Sequence, residues 1–261
     1  MGSLIIVKFV LCFIIIVVLA EISKRVSPQL GGIFSGLPLG TGLTVYFISY
    51  EQGTDFTMKG IPWGISGLSA SIVFCFVYFL VLKYTHSNTR IYSVILASVT
   101  SVISFLAIGL LISLVQFTLM QATLLFAVTF AVNIVLIKKL IGEDEVIKQS
   151  STSIMQLLIR IILVGSILVL ITGIASTVGS KWAVILTAFP STLFPLFIVL
   201  QFEAGNRLVQ YVIQGFSYSI STLVVFYFSF VYLVPIFGLN LGYLIIYVIC
   251  LIYLYFFNKL R

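Results

Sequence analysis

The chain has 261 residues, 61% of them hydrophobic and 8% charged, with a formal net charge of +7. Ordinary soluble domains carry roughly 25% charged residues, and several apolar runs here exceed the ~20 residues that cross a bilayer as a helix. A soluble domain is excluded and an all-α integral membrane protein is expected; Lys and Arg then belong to cytoplasmic loops, and no nucleic-acid partner is implied.

Nine transmembrane helices are predicted, at roughly 3–22, 30–50, 61–83, 91–115, 118–139, 154–175, 181–202, 208–236 and 240–258. The first apolar run, Ser3–Ala20, resembles a signal peptide in length. Lys8 interrupts it and no small-residue cleavage site precedes Glu21, so it reads as a span. Lys24 and Arg25 close it, and Glu51-Gln52-Gly53 closes the second helix. Asp55 and Lys59 read as loop charges, and His86, the single histidine, falls in the polar loop Lys83–Arg90. The segment Lys138–Ser153, with Gly142-Glu143-Asp144-Glu145, reads as a linker. Polar breaks at Ser176–Ser180, Glu203–Arg207 and Gly238–Asn240 separate the remaining helices. Trp63, Trp182 and the tyrosines near span ends read as interfacial anchors. Cys12, Cys75 and Cys250 lie inside apolar spans as small hydrophobes, with neither disulfide nor metal spacing.

The nine-helix scheme puts Lys24, Arg25, Lys83, Arg90, Lys138, Lys139, Lys148, Arg207, Lys259 and Arg261 on one side, and only Lys59 and Lys181 on the other. By the positive-inside rule the N-terminus is outside and the C-terminus cytoplasmic, in a cell (inner) membrane.

At an offset of 152 residues, the first 80 positions align with the second half without a gap. Lys8 falls on Arg160, Ser35 on Thr187, Gly36 on Ala188, Pro38 on Pro190, Glu51 on Glu203 and Gly53 on Gly205. Prolines and charges are rare here, so their coincidence at one offset carries weight. Five crossings separate equivalent points, which turns the second copy upside down. The organisation expected is a four-helix repeat over 1–117, a connector helix and cytoplasmic linker over 118–153, and an inverted repeat over 154–261.

Each half resembles the small four-helix GlpM-type membrane proteins and the related DUF3147 group. The shared pattern is a basic residue early in the first helix, then a Gly/Ser-rich second helix with proline, ending in an acidic residue and glycine. Here these are Lys8, Gly31–Gly40 with Pro38, and Glu51-Gln52-Gly53; in the second half, Arg160, Thr187–Pro195 and Glu203-Ala204-Gly205. The fused double length and extra helix depart from the family pattern. The resemblance implies a membrane role, with links to glycerol-phosphate metabolism and alginate production, and no particular substrate.

Gly32, Gly36, Gly40 and Thr44 form a ridge at four-residue spacing. It either lets helices pack closely or, with Pro38, loosens the helix and frees backbone groups for a ligand. Pro190 and Pro195 pose the same choice in the second half. The candidate translocation site is therefore Ser35, Gly36 and Pro38 with Thr187, Ala188 and Pro190. Lys8 lies ~7 Å into its span at 1.5 Å per residue. It either snorkels to the interface or bridges Glu51, as Arg160 would bridge Glu203 at the opposite mouth. Neither an enzyme signature nor a metal or cofactor motif is found.

The reading is a non-enzymatic secondary carrier of a small solute, with a weak preference for an anion, working by alternating access. The competing classes are a flippase for lipid- or polyprenyl-linked head groups and a non-transporting accessory subunit of an envelope complex. Expected partners are the lipid bilayer, the small-molecule or lipid-linked substrate, and a second copy of the chain as a possible homo-oligomer.

Overall fold

The computed structural model describes residues 2–23, 36–85, 90–140, 154–203 and 205–259. Among these residues it is all-helical. The elements are α1 (Gly2–Ser23), α2 (Leu39–Gln52), α3 (Thr54–Tyr84), α4 (Arg90–Ser113), α5 (Leu119–Leu140), α6 (Ile154–Thr187), α7 (Leu193–Glu203), α8 (Asn206–Ser219) and α9 (Ser221–Lys259). Five helical stretches are long and apolar enough to cross a membrane: α3, α4, α5, α6, and the run from Asn206 to Phe257. These nine elements are not the nine expected spans one for one.

Single glycines make the corners. The positive-φ residues among those described are Gly53, Gly179, Gly205 and Gly238, with no other residue type. Their φ/ψ values are +93/152, +76/168, +81/−177 and +74/173, a region that only glycine enters without strain. Gly53 joins α2 to α3, and Ser49 Oγ donates to Thr57 Oγ1 across it at 2.9 Å, so the chain turns back on one residue. Gly242 packs similarly on the backbone of Val234 across Gly238.

This corrects several expectations. Residues 54–60, expected in a loop, are helical, with Thr57 buried and Asp55 and Lys59 on the exposed face. The breaks expected at 176–180 and 238–240 are present, each narrowed to one non-helical glycine, Gly179 and Gly238, between two helical segments. Helix 181–202 is interrupted at 188–192, and the second helix has non-helical backbone at 36–38 before α2 begins. The segments around His86, the linker 142–145 and Lys148 lie outside the described residues.

α3 is the hub, packed against α2, α4, α5, α6, α8 and α9. Small residues on it allow close approach: Gly60 and Gly64 meet Val184, and Gly67 meets Ala188 and the Ile185 backbone. Trp63, expected as an interfacial anchor, is buried; its Nε1 donates to Val115 O at 2.9 Å, and Lys181 Nζ lies 4.7 Å from the ring centroid. Tyr78, Tyr227 and Tyr243 are likewise interior, with their hydroxyls hydrogen-bonded inside the protein. A phenol can be buried when its O–H finds a partner, which span-end position alone does not reveal. Outward faces are apolar: on α4, Ile95, Val99, Ile103, Leu106 and Leu110 form an exposed stripe at helical spacing.

The bundle has two ends. Trp63, Val115, Lys181 and the Lys8–Glu51 pair mark one. At the other, Lys83 Nζ donates to Leu140 O (3.0 Å), Arg90 Nη1 to Phe202 O (3.0 Å) and Asn206 Nδ2 to Leu82 O (3.3 Å).

Candidate functional site

The start of α2 meets the helix interruption at 188–192. Gly40, one residue into α2, faces Ser191 and Thr192 so closely that a Cβ there would strike the Ser191 hydroxyl. Between them lies a cavity of about 10 Å³, room for about one water molecule, lined by Gly40, Thr41, Ala188, Pro190, Ser191 and Thr192 among others. Proline stands at both places. Pro38 caps α2 without an N–H of its own, and Pro190 cannot continue a helix from Thr187.

Contacts around the interruptions recur at the 152-residue offset with the halves exchanged. Gly36 packs on Ser219, and its equivalent Ala188 packs on Gly67, the equivalent of Ser219. Gly42 lies against Phe226, and Phe194 stacks edge-on with Phe74 at 5.5 Å, the same pair displaced. Gly40 touches its own counterpart, Thr192. α1 and α6 run antiparallel: Lys8 reaches Thr172, Phe9 covers Gly165, and Cys12 and Ile16 cluster with Ile161, Val164 and Leu168.

Side chains hydrogen-bond the backbone around these two places. Tyr247 O–H donates to Pro38 O (3.0 Å), Tyr243 O–H to Gly42 O (3.3 Å), and Ser71 O–H to Ala188 O. Thr187 Oγ1 shares a 2.7 Å hydrogen bond with Tyr227.

The charged cluster lies at the end away from Arg90. Lys8 is buried, with Nζ 2.6 Å from Glu51 Oε1, 2.6 Å from Thr172 Oγ1 and 5.2 Å from the Phe47 ring centroid. Of the two bridges considered, Lys8 and Glu51 are together. Arg160 is buried near the start of α6, while the side chain of Glu203 lies outside the described residues, as does Ser35. Gly36, Pro38, Thr187, Ala188 and Pro190 all fall at or beside the interruptions. Sequence reasoning misses Thr41, Thr172, Ser71, Tyr227 and Tyr247. Thr41, inside the Gly-rich stretch, is within its reach; nothing in the sequence links Thr172 to Lys8.

No group of three or more His, Cys, Asp or Glu that could hold a metal occurs among the described residues. No protein-family model, curated protein or solved structure matches this chain.

Proposed function

We propose that this protein is a multi-pass membrane carrier of a small solute, built from two inverted four-helix repeats and working by alternating access. The observation that carries the reading is the meeting of the start of α2 at Pro38 with the helix interruption at 188–192, positions related by the 152-residue offset, around one cavity. Interrupted helices at matching places in two halves are the arrangement by which many carriers hold substrate near the midplane. The exchanged contacts Gly36–Ser219 and Ala188–Gly67, and the antiparallel α1–α6 pair, support inversion. Turning the chain at each glycine corner gives nine crossings. It gathers Lys83, Arg90, Lys138 and Lys139 at one end, which we assign to the cytoplasm. The resemblance of each half to the small four-helix family belongs to the same proposal.

In this scheme Lys8–Glu51 closes the outer mouth and Arg160–Glu203 the inner one. A second reading, translocation of a lipid-linked head group, draws on the groove of about 270 Å³ lined by Leu11, Leu43, Tyr46, Asn240, Tyr243 and Leu244.

Single cysteines introduced at each mouth, after replacement of Cys12, Cys75 and Cys250, test the scheme with a membrane-impermeant thiol reagent. Glu51→Gln is expected to raise labelling at the outer mouth and Glu203→Gln at the inner one. A bias of ~1.4 kcal/mol changes the population ratio about tenfold. Shifts in the same direction in both variants sink alternating access; a lipid-probe assay that scores where solute flux does not selects the second reading.

A further inference from the structure

The central cavity holds more hydrogen-bond donors than acceptors. α2 and α7, of 14 and 11 residues, both begin at it, and each brings the partial positive charge of a helix N-terminus. Four first-turn or pre-helix amides find backbone acceptors: Leu39 on Leu37 O (2.7 Å), Gly42 on Pro38 O (2.7 Å), Ser191 on Phe189 O (2.6 Å) and Phe194 on Pro190 O (2.8 Å). Among the described residues this leaves the N–H groups of Gly40 and Thr41 from one half, and of Thr192 and Leu193 from the other, without a backbone acceptor. These two pairs are equivalents at the 152-residue offset, and all four residues line the cavity.

The side chains point the same way. Ser191 and Thr41 are 3% and 6% exposed, both line the cavity, and neither hydroxyl hydrogen-bonds another described residue. Several nearby carbonyls are already engaged, while Ser191 O, whose helical donor would be Pro195, is left open. Pro38 O takes Gly42 N–H and Tyr247 O–H, Ala188 O takes Ser71, and Phe189 and Pro190 carbonyls take amides. No lining residue carries a charge. A cation would meet mostly engaged carbonyls and two positive helix ends, whereas an anion would meet four free amides and two hydroxyls. A volume of about 10 Å³ is room for about one water molecule, so a monatomic halide, somewhat larger than water, needs only a slight widening of the cavity, and carboxylates and phosphate esters a much greater one.

Resting on the transport reading, which it deepens by naming the solute class, we propose that the cavity is a binding site for a monatomic halide. The amides of Gly40, Thr41, Thr192 and Leu193 and the hydroxyls of Thr41 and Ser191 hold the ion. The ion lies on the seam between the two halves, so both contribute equally.

The test uses the purified full chain in detergent. Thermal midpoints are followed as chloride, and separately bromide, replaces gluconate at constant ionic strength. A saturable rise is expected with both halides, because a ligand that binds the folded state raises its stability. Thr41→Val and Ser191→Ala are each expected to weaken the apparent halide affinity by about tenfold or more, the scale of one hydrogen bond to a charged group. Equal midpoints in chloride and gluconate overturn the site and leave water as the occupant. Halide stabilisation undiminished in both folded variants overturns it too. Halide efflux from proteoliposomes separates this inference from the reading beneath it. Saturable binding weakened by the variants, but with no flux, upholds the site and counts against transport. Absent binding in a protein whose two mouths still exchange accessibility overturns the site alone.

Discussion

The Lys8 cluster and the central cavity are both polar and both buried, and they treat charge in opposite ways. At the mouth, a full positive charge is met within 2.6 Å by a carboxylate and a hydroxyl, with an aromatic face beside it. In the centre, no lining residue is charged, yet helix-start amides and two hydroxyls stand without acceptors among the described residues. The contrast separates two jobs that the sequence alone runs together. Under the transport proposal, a lysine already neutralised by its own glutamate has nothing left for a solute, and its place there is structural or gating. Unused dipoles in the middle are where solute recognition can occur.

The largest effect is expected where the matched charge is broken. Glu51→Gln leaves the Lys8 ammonium buried with Thr172 and the Phe47 ring, and removing one member of a buried pair typically costs ~3–5 kcal/mol. Lys8→Met is expected to cost less, because the Glu51 side chain is 20% exposed and can rehydrate. The double variant is expected to recover much of the loss. Unfolding of the four proteins in detergent, read as a double-mutant cycle, measures the coupling. Simple additivity would mean that the pair is incidental, and the contrast with the centre would collapse.

Next in size is the seam. Gly40→Ala drives a methyl group into Ser191 and Thr192, and overpacking of this kind costs ~1–3 kcal/mol. Gly36→Ala meets Ser219 in the same way, so the two are expected to be destabilised alike. A neutral Gly40→Ala would mean that the halves do not press together there, and the cavity would lose its walls.

Much of this architecture is legible in the sequence. Pro38 announces the start of α2 and Pro190 the break after α6 because proline carries no N–H, and Lys8 and Glu51 stand out because charges in apolar spans need partners. The corners escape hydropathy for a physical reason. Thr54-Asp55 and Lys59-Gly60 look like a loop, yet one glycine at positive φ reverses the chain and leaves them free to continue as helix, charges outward. Tyr227 and Tyr243 are interior and Tyr247 half-buried, although Tyr243, near a span end, is expected at the interface. Their hydroxyls serve carbonyls and hydroxyls more than 30 residues away in the chain, contacts that no local pattern encodes.

The smallest effect sharpens the equivalence of the halves. Gly53 and Gly205 have no atom within 4 Å of where a Cβ would stand, so Gly53→Ala and Gly205→Ala add no clash. Only the backbone matters. An alanine at φ +93 or +81 is strained by ~1–3 kcal/mol, while its stiffer unfolded chain returns about 0.4–1 kcal/mol. The net loss is expected near ~1 kcal/mol, and nearly the same in both variants, because both glycines stand directly before the next helix at similar positive φ. D-alanine, introduced by semisynthesis at either site, removes the steric penalty and is expected to restore stability. A loss at Gly53 several times that at Gly205, still present with D-alanine, would place the cost in the Lys8–Glu51 cluster two residues away. The corners would then be alike in backbone angle only, and the repeat would hold for geometry without holding for energy.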